Sequence, residues 1–334
     1  MSITVVSLNP SIDVQLSVAG FVYGGLNRVR EVGRYASGKG INVCAALANL
    51  GQPPVCIGFN YCDNGYLITD ALDEWGVGHD FVDVAGVVRT NIKLYDSMGG
   101  AMTELNQPGA YVPEEALLQL INKINASSGS TLILSGSMPA GVPADFYRQL
   151  CQTTWPGCVI LDAEGEALKL ALSGDKPPFC IKPNLYELET CFGVRLSAKE
   201  DIAAFCQDLI KTYGIRMICV SMGADGAMLV TDSSAYYVPA LDLAVKGVQG
   251  AGDAMVAGLA YGLSQGMCVP GGIQDVAAVS PMAEAKLLQM ASAAAAASVI
   301  REGTLMCIKT DFEKYLAMMP EPCTIDTNLR KSRR

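Results

Sequence analysis

The sequence has very little histidine and lacks the cysteine spacings of metal sites. Its single histidine is His79, and none of its 12 cysteines falls in a C-x-x-C motif. The clustered nitrogen and sulfur ligands that bind zinc are therefore missing from the sequence. Most of the cysteines lie in apolar runs, as Cys219 does, where a reduced thiol behaves as a small hydrophobe. We expect reduced structural thiols in a reducing compartment such as the cytoplasm, and neither a disulfide framework nor a zinc site.

Positive charge is also scarce. The chain has 24 lysines and arginines against 33 acidic residues, a formal net charge of −9. Nucleic-acid binding depends on lysine and arginine neutralising phosphates, so we expect no nucleic-acid partner. One basic run, Arg330–Arg334, ends a tail over residues 326–334. We interpret it as a solvated end, and a binding arm is the alternative.

Long hydrophobic runs of membrane-spanning length are missing as well. The apolar residues 3–8 stop at Asn9-Pro10 and predict a first strand, because a signal peptide needs a basic start and a longer apolar run. The apolar stretch 287–300 is shorter than the ~20 residues that span a bilayer, so it predicts a buried helix. We expect no membrane partner. With 50% apolar and 17% charged residues, the 334-residue chain can form a large core, as one large α/β domain or two modest ones.

Short apolar runs that favour strands alternate with longer helical patterns along the chain. This alternation predicts a mostly parallel sheet with helices on both faces. The predicted strands are residues 4–7, 55–57, 131–135, 158–162, 179–182 and 217–221, and the predicted helices are residues 41–50, 65–74, 114–125, 144–152, 185–191 and 198–213. Residues 15–29 and 87–111 lack helical periodicity. The second segment reads as strand, glycine turn, strand, which predicts a hairpin and a small additional sheet.

The most informative segment is Gly247–Leu259, in which a glycine-rich turn opens directly into a helix. Such a turn lets backbone N–H groups approach an anion, and the helix N-terminus adds partial positive charge. An acid at this point, Asp253, can accept a proton from an attacking hydroxyl group while the N–H groups stabilise a transferred phosphoryl group. The alternative is that Asp253 only caps the helix.

Other candidate segments carry weaker signals by themselves. A second glycine turn, Ala36–Val43, is not a P-loop, and it is either an anion or sugar site or a tight turn with a solvated lysine. Asp13, after the first strand, can accept hydrogen bonds from sugar hydroxyls or form an Asx-turn. Lys182–Glu187 and Ser221–Gly226 each follow a strand, and either could be an ordinary connection.

Together these segments resemble the ribokinase-like (phosphofructokinase B) sugar kinases. The turns at 37–42 and 250–253 look like the two signatures of that family. Residues 182–187 match its N-x-x-E element and residues 221–226 its S-x-G-x-x-G loop, in the family's order along nearly the whole chain. The closest branch is that of bacterial 1-phosphofructokinase and tagatose-6-phosphate kinase, on residues 8–13, 89–94, 103–109, 135–139 and 257–263.

The resemblance implies a single kinase domain over residues 1–325. Its fold would be a three-layer α/β fold with a mostly parallel central sheet and a small β-sheet lid from about 14–30 and 87–111. The implied reaction is ATP-dependent phosphorylation of a phosphosugar, most simply fructose 1-phosphate to fructose 1,6-bisphosphate. ATP and Mg²⁺ are the implied cofactors, with a monovalent cation as an optional one. Family members pair through the lid, so a homodimer is expected.

The resemblance also implies a role for each matching residue. The catalytic base would be Asp253, with an anion hole at Gly250, Ala251 and Gly252. The phosphosugar would be held by Asp13, Arg28, Gly38, Lys39, Asn42, Arg89 and Ser137. The nucleotide would contact Lys182, Asn184, Glu187, Ser221, Gly223 and Gly226, with Glu187 also ordering Mg²⁺ through water.

Three departures from the family pattern leave the sugar and the nucleotide donor open. Gln249 stands where Thr or Val is usual, Cys44 where Ala or Ser is usual, and Tyr61 where glycine is expected. Tagatose 6-phosphate, an unphosphorylated sugar or a nucleoside is the alternative acceptor, although paired arginines favour a phosphorylated one. A non-catalytic sugar or nucleotide sensor is the alternative of a different class, and an intact base behind the glycine turn argues against it.

Overall fold

The first strand of the chain leads directly into two different sheets. In the computed structural model, which describes residues 2–153, 155, 157–267 and 281–327, β1 (Ile3–Ser7) is fully buried in a large sheet. Only three residues later the chain enters β2 (Ser11–Val18), which belongs to a small sheet. Asp13 therefore lies on a strand of the small sheet and not in a loop at the end of the large one.

The large sheet is built mainly from the apolar runs that the sequence predicts as strands. Among the described residues it has ten strands in the order β14-β13-β12-β11-β10-β9-β8-β1-β4-β5. Neighbours from β5 to β11 pair in parallel, and β12, β13 and β14 add antiparallel pairs at one edge. The remaining strands are β4 (Val55–Tyr61), β5 (Gly78–Val84), β8 (Thr131–Ser135), β9 (Cys158–Asp162), β10 (Cys180–Ile181), β11 (Met217–Ser221), β12 (Ala227–Val230), β13 (Ala235–Val238) and β14 (Cys323–Thr324).

The small sheet has the strand order β3-β2-β6-β7. Its other members are β3 (Arg30–Ser37), β6 (Arg89–Asp96) and β7 (Ala101–Asn106). β6 and β7 form the antiparallel hairpin that the sequence predicts, and β2 pairs with β6 in parallel along its whole length. The strands of this sheet span residues 11–37 and 89–106. The first of these segments extends beyond the expected 14–30 at both ends, because β2 begins at residue 11 and β3 continues to residue 37.

Helices lie in the connections between the parallel strands and also follow the antiparallel strand β13. They are α1 (Lys39–Asn49), α2 (Tyr66–Glu74), α3 (Glu114–Ala126), α4 (Phe146–Cys151), α5 (Gly165–Leu172), α6 (Leu185–Phe192), α7 (Lys199–Tyr213), α8 (Ala251–Gly262), α9 (Pro281–Val299) and α10 (Lys309–Met318). α8 packs against α1 and α9, and α10 packs against α9, while α5 packs between α4 and α6. The described helices include none with the length and apolar character needed to cross a bilayer.

The core explains the cysteine usage. Cys44, Cys180 and Cys219 are buried free thiols among Val, Ile and Leu side chains, and burial raises their pKa. The alanine-rich run in α9 is likewise buried against α8, where small side chains let two helices approach closely. Most of the basic tail, residues 328–334, lies outside the described residues.

Candidate active site

The glycine turn before α8 places an acid at the start of a buried helix. Gly250 is the N-cap and has a φ of 74°, a left-handed conformation that favours glycine. Asp253 is then the third residue of the helix and is buried. The N-cap position belongs to Gly250, which weakens the alternative that Asp253 is only a cap. The Ala251 N–H group donates to the Val248 carbonyl oxygen at 3.3 Å, and the first turn of a helix otherwise starts with N–H groups that have no helical partner.

The Asp253 carboxylate is held by a residue from the other glycine turn. Asn42 Nδ2, on α1, donates a hydrogen bond of 2.8 Å to Asp253 Oδ2. Burial and the nearby Asp162 carboxylate raise the pKa of Asp253 to about 6, although Asn42, Lys39 and Lys182 act in the opposite direction. A carboxylate with a pKa near neutrality is suited to accept a proton. The structure thus brings the two glycine turns of the sequence to one point.

Asp162, at the end of β9, is a site residue that the sequence analysis did not identify. Its buried carboxylate lies 3.3 Å from Lys39 Nζ and 3.3 Å from Lys182 Nζ, and Ser135 Oγ donates to it. Burial acts to raise its pKa, but the two lysines outweigh burial and the pKa of Asp162 is lowered. The sequence signal for Asp162 is a charged residue at the end of an otherwise apolar strand.

Lys39 and Lys182 are charged groups fixed next to the anion turn. A Cβ built on Gly252 would lie 3.3 Å from Lys182 Nζ, so this glycine allows the ammonium group to reach the turn. Burial acts to lower the pKa of Lys39, but the carboxylates of Asp162, Asp253 and Glu187 more than offset it, and the pKa is raised. Lys39 is therefore a cation at neutral pH, and it lies with Lys182 against Asp162, where negative charge on a transferred group would be stabilised.

Asp13 is surrounded by donors from three strands of the small sheet. Its Oδ1 accepts from Ser11 Oγ at 3.1 Å and Asn91 Nδ2 at 3.0 Å, and its Oδ2 accepts from Ser37 Oγ at 3.0 Å. The Lys93 ammonium group forms an ion pair of 2.8 Å with the same Oδ2. These contacts are with side chains of other residues, so Asp13 is no simple Asx-turn residue. Asn91 and Lys93 lie on the same face of β6 as Arg89, because side chains two positions apart on a strand point the same way. No motif in the sequence marks these two residues as part of the site.

Arg89 lies in the wall of a cavity of about 430 Å³. Its guanidinium group donates to the carbonyl oxygens of Asn9 and Gln107 at 3.2–3.3 Å. Burial lowers the pKa of Arg89, while Asp13 and Tyr61 act to raise it. The lining also includes Lys39 and Ser137, whose Oγ accepts from Asn9 Nδ2 at 3.1 Å. Asp13 and Asp253 are buried and do not line this cavity.

Arg28 is a predicted sugar residue that lies away from the cavity and from the buried contacts of the site. It lies on the exposed segment between β2 and β3 and is absent from the lining. Gly38, in contrast, is the N-cap of α1 with a φ of 105°, and a Cβ there would lie 3.1 Å from the Cα of Pro10. That glycine lets the second turn pack against the β1–β2 connection, which positions Lys39 and Asn42.

The predicted nucleotide residues follow the next two strands of the large sheet. Asn184 and Glu187 form a capping box at the start of α6, with bonds of 2.7 and 2.8 Å between each side chain and the other's N–H group. Ser221, at the end of β11, forms a bridge with Asn184. Gly223 and Gly226 both have positive φ, and a Cβ on Gly226 would lie 2.1 Å from the Val238 carbonyl oxygen. The two motifs therefore lie next to each other at the carboxyl ends of β10 and β11, where they form adjoining walls.

Comparison with known proteins assigns this arrangement to a family. Residues 2–311 match the pfkB family carbohydrate kinase description. The chain belongs to the pfkB family of carbohydrate kinases. It is 35% identical to a 1-phosphofructokinase of Xanthomonas campestris over 77% of this chain and 83% of the relative, and 33% identical to that of Borreliella burgdorferi over 78% and 84%.

A solved structure gives the same result at the level of the fold. Phosphofructokinase-2 from Escherichia coli, crystallised with substrates and products, superposes with a TM-score of 0.85 at 25% identity, covering 96% of this chain and 99% of that one. The predicted ribokinase-like α/β fold is confirmed, and so is the assignment to the phosphotransferases that use a hydroxyl group as acceptor. This kinase is thus an ATP-dependent sugar kinase, as the sequence motifs predict.

The acidic side chains of the kinase suit a metal ion that arrives with the nucleotide. Within the described residues no group of three His, Cys, Asp or Glu side chains could hold a metal ion alone. Both oxygens of Asp162 face lysines, and Glu187 uses Oε2 for its cap. Mg²⁺ usually keeps several waters and binds one or two carboxylates together with substrate phosphates. The residues present therefore fit Mg²⁺ that is bound mainly by nucleotide phosphates, and Glu187 would contact such an ion through water.

Two of the three departures from the family pattern lie in the core. Cys44 is fully buried beside Cys56, where it fills a small apolar position. Tyr61 is also buried; burial raises its pKa to about 12, although nearby Arg89 acts to lower it, and within the described residues its hydroxyl has no hydrogen-bond partner. Gln249 is different, because its side chain reaches the small sheet.

Proposed function

We propose that this kinase transfers the γ-phosphoryl group of ATP to the 6-hydroxyl group of fructose 1-phosphate, giving fructose 1,6-bisphosphate and ADP. The observation that carries the proposal is the buried Asp253 carboxylate at the N-terminus of α8, beside Lys182 and linked through Asn42 to the second glycine turn. The relatives named 1-phosphofructokinase support the choice of acceptor.

In the proposed reaction Asp253 acts as general base. As the hydroxyl oxygen forms its bond to the γ-phosphorus, the bond from that phosphorus to the β,γ-bridging oxygen breaks and ADP leaves. The hydroxyl proton passes to the Asp253 carboxylate. The N–H groups of the Gly250–Gly252 turn and the Lys182 ammonium group would stabilise the charge on the transferred group. Mg²⁺ supplies further charge neutralisation when it is bound with ATP.

The acceptor would lie between the small sheet and the cavity wall. We assign its hydroxyl groups to Asp13, Gly38 and Asn42, and its phosphate to Arg89 with Lys39 and Ser137. Arginine binds phosphate with paired, charge-assisted hydrogen bonds, which fits Arg89 at the cavity wall. Within the described residues Arg28 has no contact that supports its assignment, which stays a prediction from the sequence.

The nucleotide would lie along the adjoining walls that follow β10 and β11. We assign its phosphates to Lys182, Asn184 and Glu187, and the rest of the nucleotide to the loop at Ser221, Gly223 and Gly226. The loop turns sharply because both glycines have positive φ. The monovalent cation stays an untested prediction.

The small sheet supports the proposed homodimer. Several apolar side chains on it and its connections are exposed, and Tyr23 is 95% and Leu26 82% exposed. Met98, Met102 and Leu105 on the β6–β7 hairpin are exposed as well. Exposed apolar patches of this kind are typical of protein interfaces, and a second copy of the chain is the partner we propose. We further propose that the protein works in the cytoplasm, since buried free thiols are typical of reducing compartments.

The substrate assignment predicts a rank order of acceptors. Fructose 1-phosphate should give the highest kcat/KM, followed by tagatose 6-phosphate and fructose 6-phosphate, and free ribose should be poorest because it offers no phosphate to Arg89. A coupled assay of ADP formation with each acceptor at fixed ATP measures this order. A higher kcat/KM for tagatose 6-phosphate would transfer the assignment to that sugar. ATP turnover that no acceptor stimulates would contradict the kinase proposal and favour a sensor.

The raised pKa of Asp253 predicts a loss of turnover in acid. The base must be ionised to accept a proton, so kcat at saturating sugar and ATP should fall as the pH drops through about 6. A phosphosugar also titrates near pH 6, as phosphate monoesters do, so substrate concentrations must stay saturating throughout the profile. The residual activity of Asp253→Asn is the control, because it should lack this acid limb. A flat wild-type profile between pH 5 and pH 8 would contradict the assignment of the base.

A further inference from the structure

Lys93 connects the small sheet to the turn that carries the anion hole. Its ammonium group is almost completely buried and lies 2.8 Å from Asp13 Oδ2 and 3.0 Å from Gln249 Oε1. A buried ammonium group is stable only when it is paired and hydrogen-bonded, so both contacts matter for its placement. Lys93 thereby binds both Asp13, which we assign to the sugar, and Gln249, which directly precedes Gly250.

The side-chain amide of Gln249 also contacts the neighbouring strand β7. Its Nε2 donates a short hydrogen bond to Glu104 Oε1 on β7. Lys93 and Glu104 are directly opposite each other on β6 and β7, so the amide of Gln249 bridges a cross-strand pair. The amide group alone can do this at both ends, because it offers an acceptor to the lysine and a donor to the carboxylate. A Thr or Val at this position, as the family pattern has, could not make both contacts.

We propose that Gln249 is a positioning residue for phosphoryl transfer, which fixes the Gly250–Gly252 turn relative to the small sheet through its bonds to Lys93 and Glu104. The inference rests on the proposed function, since it assigns phosphoryl-group stabilisation to that turn. The sugar is held by the small sheet at Asp13, while the phosphoryl group is received at the turn. The distance between the two reacting groups therefore depends on this three-residue bridge, Lys93–Gln249–Glu104.

The bridge predicts a defect in kcat with little change in either KM. Gln249→Leu keeps the side-chain size and removes both contacts, and it should lower kcat about tenfold, because displacement of reacting groups by about 1 Å can cost about a hundredfold. The KM for sugar should stay within about twofold, since Lys93 still pairs with Asp13 and the lost contact lies at the turn that receives the phosphoryl group. The matched control is Glu31→Gln, which alters an exposed carboxylate elsewhere on the small sheet and should leave kcat unchanged.

A charge exchange separates positioning from general damage. Gln249→Glu keeps an acceptor for Lys93 but places a carboxylate against Glu104, so it should be at least as slow as Gln249→Leu. Adding Glu104→Gln restores a donor facing the new carboxylate, and the double variant should recover kcat to within about threefold of wild type, a non-additive result expected for residues in direct contact. A double variant that is no faster than Gln249→Glu would overturn the proposal, as would an unaltered kcat in Gln249→Leu.

Amide hydrogen exchange gives a readout that is independent of turnover. In Gln249→Leu the amides of residues 247–252 should exchange faster than in wild type, while those of the buried strand β1 should not change. Unchanged exchange at the turn would overturn the bridge even where activity falls. If wild type phosphorylates none of the sugars, the proposed function fails separately, and this exchange measurement still decides whether Gln249 orders the turn.

Discussion

Replacing Asp253 by asparagine should lower kcat at least about a hundredfold, because general-base catalysis contributes typically about 10²–10⁴-fold. The amide has nearly the same size and can still accept the hydrogen bond from Asn42, but it cannot take the proton of the attacking hydroxyl group. The KM values should change little. Rapid measurement of ADP formation at saturating fructose 1-phosphate and ATP gives the ratio.

The same variant should keep its thermal stability. Burial and Asp162 hold the pKa of Asp253 above its ordinary value, so the folded protein binds this proton more tightly than the unfolded chain does. The contribution of Asp253 to stability is therefore fully present below its unfolded pKa and is lost as the pH rises through about 6. At pH 8 asparagine removes an unfavourable buried charge, and the Tm should be equal to or slightly above that of wild type. Near-normal turnover in a folded variant would contradict the proposed base.

Replacing Arg89 by alanine should weaken phosphosugar use about 10- to 100-fold, because a charge-assisted hydrogen bond to phosphate contributes about 1.5–3 kcal/mol. The loss should be found in kcat/KM for the sugar, while the KM for ATP stays almost constant. Free ribose, which has no phosphate, should lose little. Steady-state kinetics with both substrates varied separates these constants.

Two further variants control for the structural contacts of Arg89. Its guanidinium group also holds the carbonyl oxygens of Asn9 and Gln107, so alanine could loosen the cavity wall. Arg89→Lys keeps the charge without the paired donors and should lie between alanine and wild type. Arg34→Ala removes an exposed arginine of the small sheet and should have no effect on sugar use. A parallel rise of the sugar and ATP constants in Arg89→Ala would show that Arg89 acts on the structure instead.

The residues near the large sheet were predictable because their local patterns are strong. Apolar runs predicted where the central strands lie along the chain, and the glycine turns before α1 and α8 marked the segments that contain Asn42 and Asp253. The contact between these two turns could not be derived from local pattern, since their residues are 211 positions apart. The family resemblance assigned both turns to one active site but did not predict this hydrogen bond.

The residues that the sequence analysis missed depend on long-range pairing. Asp162 ends a strand whose neighbours in the sheet carry Lys182 and Ser135, and only the sheet order brings them together. Lys93 reads as a surface lysine of an amphipathic hairpin, yet pairing of β6 with β2 buries it against Asp13. The start of strand β2, at residues 11–13, is not predicted from the sequence, because a proline and polar residues precede and interrupt its apolar positions.

The most direct test of the proposed reaction is a ³¹P NMR time course of the wild-type protein with MgATP and fructose 1-phosphate. The account predicts that the γ-phosphorus signal of ATP is replaced, in equal amount, by a second phosphomonoester signal on the sugar, with the original 1-phosphate retained and ADP formed. Release of inorganic phosphate with the sugar unchanged, or no consumption of ATP, would contradict the proposal that this site phosphorylates a phosphosugar.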